Sequence, residues 1–210
     1  MNIAIGVVAH PSRREHVENL TDTVAFNVAC YDTHGRGERW NHAETLRELL
    51  DTVPRADWYV LIEDDALPCA DFRDRLAAAL DQAGDDVLVS LYLGQGAWAT
   101  RKPDTKHTVA RLVRQADLTG GWIDADEMWH AVGVCIRAEH ARSVQAHLAT
   151  ESAPTDLALT RWAAAHEVGI RYTYPSLVDH ADGASVIPRT TPRKAGRVAW
   201  RFADEHAGLR

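Results

Sequence analysis

The chain has 210 residues, 46% of them hydrophobic and 25% charged, with a formal net charge of −7. That is the composition of an ordinary globular protein with one good core and at most a small appended lobe. The acidic balance excludes a wholesale nucleic-acid coat, though not a local basic groove, and no apolar run approaches the roughly 20 residues that a membrane-spanning helix needs. Cys30, Cys69 and Cys135 lie far apart and form no CxxC pair, which argues against structural zinc and against a disulfide framework. With no basic leader or cleavage site ahead of the first strand, the chain reads as a reduced, cytoplasmic protein.

The first strand is expected from Asn2 to Ala9 (NIAIGVVA), followed by His10-Pro11-Ser12-Arg13-Arg14. Ser12 and Glu15 have capping-box spacing, and Val17, Leu20 and Val24 then fall on one helical face. A strand running straight into a capped helix offers backbone N–H groups and arginines to an anion. His10, Ser12 and Arg13 are therefore candidates for holding a nucleotide phosphate, and a plain helix start with solvated arginines is the alternative. Phe26 to Tyr31 predicts a second strand closing on Asp32, an acid placed to meet a ribose hydroxyl or a base edge. Asn41 and Glu44 repeat the capping-box spacing, with Leu46, Leu49, Leu50 and Val53 as the apolar face of a second helix that Pro54 ends.

The third strand organises the rest. Trp58 to Ile62 is an unbroken apolar run of aromatic and branched residues, the pattern of a strand buried on both faces. Glu63, Asp64 and Asp65 follow at once, and Pro68 is expected to end ladder pairing. A β-α-β-α-β run thus carries three carboxylates to the carboxyl end of a central strand, where open α/β sheets bind ligands. Adjacent carboxylates raise one another's pKa values unless they share a cation, and oxygen ligands suit Mg²⁺ or Mn²⁺. A solvated acidic turn before the helix expected to start at Asp71 is the alternative.

That helix runs through Leu76 and Leu80 to Gly84, and Val87 to Leu93 predicts a further buried strand. Gly94-Gln95-Gly96 lacks the third glycine of a dinucleotide fingerprint, and no P-loop motif occurs. Gln95 to Glu127 reads as a long irregular stretch with Trp98 and Trp122, and its Asp124-Ala125-Asp126 ranks below Glu63 to Asp65 as a metal site. Met128 to Ile136 predicts a strand, and Ala138 to Ala149 a helix. Thr155 and Asp156 open another helix, Ile170 to Tyr174 is a short strand, and Pro175 to His180 a last extended segment. Pro188 to Arg201 then holds Arg189, Arg193, Lys194, Arg197 and Arg201 without an acid. This run reads as a lid over a diphosphate, as contacts to a polyanionic acceptor, or as a solvated tail.

In this order the segments VLIEDDALP (Val60 to Pro68), WHAVGVCIRAEHA (Trp129 to Ala141) and YPSLVDHADGASVI (Tyr174 to Ile187) resemble glycosyltransferases of the GT-A fold. The resemblance is to small bacterial and phage enzymes related to the lipooligosaccharide glycosyltransferases. It implies a single-domain α/β fold with a mixed, mostly parallel sheet flanked by helices over residues 1–187. A basic C-terminal extension, 188–210, would pack on the same domain. It also implies a hexosyltransferase that moves a sugar from a nucleotide sugar, a UDP-sugar first, to a hydroxyl acceptor with Mn²⁺ or Mg²⁺. In the family's DXD-type motif Glu63 and Asp65 take the metal positions, with Asp64 on the donor side. His180 matches the late histidine that completes the metal shell, and Asp156 the helix-start acid that acts as base. The acceptor implied is a glycan or, as in some small phage-type relatives, a hydroxymethylated base in DNA. The motif departs from the pattern in beginning with Glu, and the chain is short for the fold. Two alternatives stand beside this reading. One is another metal-dependent phosphate enzyme, a nucleotidyltransferase or phosphohydrolase; the other is a non-catalytic nucleotide-binding module.

Overall fold

The computed structural model describes residues 1–95, 105–181 and 197–204. Strands β1 (Ile3–Ala9), β2 (Val28–Tyr31) and β3 (Trp58–Glu63) come first, separated by helices α1 (Arg14–Val24) and α2 (Glu38–Thr52). There follow β4 (Ala66–Pro68), α3 (Phe72–Gln82), β5 (Val87–Ser90), α4 (Thr105–Thr119), β6 (Ile123–Ala125) and β7 (Gly133–Arg137). Helices α5 (Ala138–Thr150) and α6 (Thr155–Ala165) precede the last strands, β8 (Gly169–Tyr172) and β9 (Val178–His180). Seven strands form one mixed sheet in the order β2-β1-β3-β7-β5-β8-β6, and β4 pairs with β9 in a small second sheet. The β2-β1-β3 and β5-β8 pairs are parallel; β7 and β6 run against their neighbours. The sheet is therefore mixed and mostly parallel in strand direction, with helices on both faces.

Side chains alternate across a strand, so each central strand feeds two cores. From β1 and β3, Ala4, Val8, Tyr59 and Leu61 face one core, which α2, α5 and α6 close with Leu46, Leu49, Val144, Leu148, Leu159 and Trp162. Ile5, Val7, Trp58, Val60 and Ile62 face the other, which α1 and α3 close with Val17, Leu20, Phe72, Leu76 and Leu80. The unbroken apolar runs read from the sequence are these doubly buried strands.

Gly6 shows how closely α2 sits on β1. A Cβ at that position would lie 2.6 Å from Thr45 Cγ2 and 2.9 Å from Leu49 Cδ1. Thr45 is fully buried and its hydroxyl donates to Asn41 O at 2.7 Å, so it has little room to yield. Gly6→Ala is expected to cost about 1–3 kcal/mol through overpacking, read as a lower urea midpoint at unchanged m-value.

Several local expectations differ from what the fold adopts. Ser12 does not cap α1: Pro11–Arg13 is a 3₁₀ turn, α1 begins at Arg14, and His10 Nδ1 accepts from Ser12 N–H at 3.2 Å. Nor does Asn41 cap α2, which begins at Glu38 after Gly37 at φ 99°, a left-handed value that favours glycine. Asn41 lies inside the helix and donates from Nδ2 to Ala9 O at 2.9 Å. Pro68 does not end pairing at the acidic cluster, because it closes β4 opposite Val178 of β9. Part of the stretch expected to be irregular is regular, forming α4 and β6, while Trp98 lies outside the described residues.

Candidate active site

The site is built at the carboxyl end of β3. Glu63 is the strand's last residue, and Asp64 and Asp65 form the turn into β4. Antiparallel pairing of β4 with β9 sets Ala66 opposite His180, and Ala181 N–H donates to Asp65 O at 2.8 Å. That pairing delivers a histidine from the far end of the chain to the acidic turn. Ligand atoms of Glu63, Asp65 and His180 all lie within 4.8 Å of one another. Asp65 and His180 are buried, at 7% and 3% exposure.

Arg13 spans two of the carboxylates, with Nη1 at 2.8 Å from Asp64 Oδ1 and 2.6 Å from Asp65 Oδ2. Burial works against its charge, yet these bonds hold the guanidinium pKa above its ordinary value. The other Asp64 oxygen accepts the His10 backbone N–H at 2.6 Å. So His10 and Arg13 do meet the acidic cluster, through a backbone amide and a guanidinium. Ser12 donates to the His10 ring at 2.7 Å, which shapes the turn that presents Arg13. Asp32 closes a loop at the neighbouring strand end, its oxygens accepting from Arg36 N–H at 2.9 Å and Gly37 N–H at 2.7 Å. Each carboxylate oxygen keeps a further lone pair for a hydroxyl donor.

The residues fit a divalent cation. Asp65 Oδ1 is buried and has no hydrogen-bond partner among the described residues, an expensive position for an ionised oxygen without a cation. His180 Nε2 lies 3.4 Å from Asp65 Oδ2 and 3.2 Å from Arg197 Nη1. Arginine only donates, so Nε2 is an unprotonated acceptor facing a second acceptor. A 3.4 Å gap between two acceptors is about the spacing of neighbouring ligands bound at about 2.1 Å from a common ion. Burial, with Asp65 and Glu38 nearby, pushes the Glu63 carboxyl well above the ordinary carboxylate range. A divalent charge would reverse that tendency.

His42 joins the site without a sequence motif that marks it. Its ring is fully buried on α2, Nδ1 lying 3.0 Å from Glu38 O and Nε2 3.9 Å from Glu63 Oε1. Thr155 Oγ1 lies 3.4 Å from His42 Nδ1, so a chain of polar contacts joins the start of α6 to Glu63. The one sequence signal was the i,i+4 spacing of Glu38 and His42 on a helix, too common to single out. Asp156 sits in the first turn of α6, next to Thr155, and its Oδ1 accepts the Leu157 N–H at 2.7 Å. Among the described residues it belongs to none of the metal-sized clusters, while its sequence neighbour Thr155 reaches Glu63 through His42.

Arg197 and Arg201 are the described members of the basic run. Arg201 pairs with Asp117 at 3.1 Å, while Arg189, Arg193 and Lys194 lie outside the described residues. Trp122 is half-buried, with the Arg171 guanidinium carbon over its ring at 5.3 Å from the ring centre. Asp124 pairs with the same Arg171 at 2.6 Å, well away from the β3 terminus. A cleft of about 720 Å³ between α4, β6 and β8 includes Arg111, Asp124 and Arg171 in its walls and contains none of the acidic-turn residues.

No protein-family model matches the sequence, and no curated protein sequence is similar to it. Solved structures do match. A glycosyltransferase involved in glycosylation of the major capsid of PBCV-1 aligns over 87% of this chain and 94% of its own, with 11% identity and a TM-score of 0.48. A protein from STIV aligns over 91% of this chain and 100% of its own, with 8% identity and a TM-score of 0.46. No helix among the described residues is long and apolar enough to cross a membrane.

Proposed function

We propose that this protein is a glycosyltransferase that uses a divalent cation held by Glu63, Asp65 and His180 to move a sugar from a nucleotide sugar to a hydroxyl acceptor. The observation that carries the reading is the meeting of the Glu63 and Asp65 carboxylates with the sequence-distant His180, beside a buried Asp65 Oδ1 that has no hydrogen-bond partner among the described residues. One imidazole nitrogen beside two carboxylates suits Mn²⁺ better than Mg²⁺, which prefers oxygen and water. The bound ion supplies charge neutralisation for a diphosphate leaving group.

The protein's own residues supply the rest. Asp64 is fixed by the His10 amide and by Arg13, and so it holds the guanidinium at the mouth of the cluster. From there Arg13 donates to diphosphate oxygens as negative charge develops on them. Asp32 and the Pro11–Arg13 turn lie at adjacent strand ends, β2 beside β1, a placement suited to the ribose and phosphates of the donor. In the reaction the acceptor oxygen bonds to the anomeric carbon, and the bond from that carbon to the diphosphate oxygen breaks. The diphosphate leaves with the bonding electron pair, and Asp156 takes the acceptor's proton. A base on the face opposite the leaving group inverts the anomeric centre.

Incubation with UDP-sugars and other nucleotide sugars, followed by mass spectrometry, tests the reading. Sugar transfer, or slow sugar release to water with intact nucleoside diphosphate, is expected in Mn²⁺ and is expected to cease in EDTA. Cleavage between the phosphates would instead identify a phosphohydrolase. Equal turnover in EDTA and Mn²⁺ would remove the cation from the reading.

A further inference from the structure

Residues 197–204 return to the site as a strap with a fixed backbone. Trp200 N–H donates to Leu93 O at 2.9 Å, Gln95 N–H to Val198 O at 2.8 Å, and Ser176 N–H to Arg201 O at 2.9 Å. Ala199 N–H donates to Asp179 Oδ1 at 2.7 Å, the same oxygen that accepts the His180 N–H at 2.8 Å. The Arg197 carbonyl accepts the Tyr92 hydroxyl at 2.9 Å. The main chain around the metal-site histidine and from the Arg197 carbonyl onward is therefore tied to one frame. What remains adjustable is the Arg197 side chain, whose Nη1 stands 3.2 Å from His180 Nε2.

That contact has a chemical consequence. Imidazole Nε2 has one in-plane lone pair, and a guanidinium has none, so Arg197 donates to it. A nitrogen engaged in this way cannot also coordinate an ion. We infer that Arg197 is a diphosphate-binding residue whose guanidinium must leave His180 before a cation can bind there. The inference rests on the reading of Glu63, Asp65 and His180 as a cation site.

The displaced guanidinium stays tethered within one side chain's reach of the ion, because its backbone is held. Two positive groups at that range repel each other, and an anion between them removes the repulsion. The diphosphate of a donor coordinated to the ion is that anion, and arginine matches phosphate oxygens with paired N–H donors. Arg197 thus opposes the cation when it comes alone and favours it when it comes with a nucleoside diphosphate. Cation and nucleotide are coupled through one side chain, and by linkage the coupling is reciprocal.

Isothermal titration separates the possibilities. Wild type, Arg197→Ala and Arg197→Lys are titrated with Mn²⁺ alone, and then with uridine or guanosine diphosphate in saturating Mn²⁺. Arg197→Ala is expected to bind Mn²⁺ alone severalfold more tightly than wild type. It is expected to bind the diphosphate about tenfold or more weakly, the worth of a charge-assisted pair. Arg197→Lys, which keeps the charge without the paired donors, falls between. Weakening or no change with Mn²⁺ alone overturns the competition, and unchanged diphosphate affinity overturns the phosphate role. If wild type itself shows no Mn²⁺-dependent binding of either diphosphate, the cation site fails, and this inference with it.

Discussion

Asp65→Asn is expected to weaken nucleoside diphosphate binding in Mn²⁺ by at least about 100-fold while leaving the fold intact. The variant keeps the size of the side chain and an acceptor oxygen for Arg13, and Arg13 retains Asp64 at 2.8 Å. What it loses is the charge of a carboxylate in the ligand cluster. Removing groups that merely support metal ligands costs about 10- to 100-fold, so loss of a direct ligand should cost at least the upper figure. Titration calorimetry in Mn²⁺ and in EDTA reads the effect, and wild-type affinity in the variant would exclude Asp65 as a ligand. The same substitution carries a pH signature in the metal-free protein. The Glu63 carboxyl is raised by burial and then by Asp65, so the folded state holds a proton that the unfolded chain has already released. Stability therefore falls as pH rises from the ordinary carboxylate range through the folded value of Glu63. Without the Asp65 charge that window narrows. Melting temperature followed from pH 4 to pH 8 should fall less steeply in Asp65→Asn than in wild type; parallel curves would show that the two groups do not interact.

Asp156→Asn should lower turnover by about 10²- to 10⁴-fold with donor binding unchanged, because it removes a proton acceptor and little else. The residue also has a structural reading, as an acid in the first turn of α6, where its charge favours the helix dipole. The two roles separate in measurement. A dipole role predicts near-normal turnover and a loss of about 0.3–1 kcal/mol in stability. A base role predicts the large fall in turnover, with the diphosphate affinity in Mn²⁺ unmoved. Thr155, the sequence neighbour of Asp156, contacts His42, which faces Glu63, while Asp156 belongs to none of the metal-sized clusters among the described residues, so the substitution leaves the proposed ligands in place.

The apolar pattern alone dictates the layers. Runs such as Ile3–Ala9 and Trp58–Glu63 are apolar on both alternating faces, and a strand with no polar face has to lie between two helical layers. Helical spacing at Val17, Leu20 and Val24, or at Leu46, Leu49 and Leu50, marked the elements that supply those layers. The acidic triplet was legible as a strand-end cluster for the same reason, since the chain's period changes at Glu63. Capping-box spacing misled twice, at Ser12 and at Asn41. A short polar residue three places before a Glu is common, and nearby carbonyls and rings compete for the same donors. Asn41 went to Ala9 O, and Ser12 to the His10 ring. No residue pattern specifies that β7 enters antiparallel between β3 and β5, or that β4 pairs with β9 to bring His180 against Asp65. Ladder hydrogen bonds are made by backbone and carry no residue code, so partner and register follow from how the whole sheet closes. For the same reason the contacts of His42 with Glu63, of Arg13 with Asp64 and Asp65, and of Arg197 with His180 are set only in space. A charged or imidazole side chain in sequence says what it can bond to, and the fold alone says what stands within 3–4 Å of it.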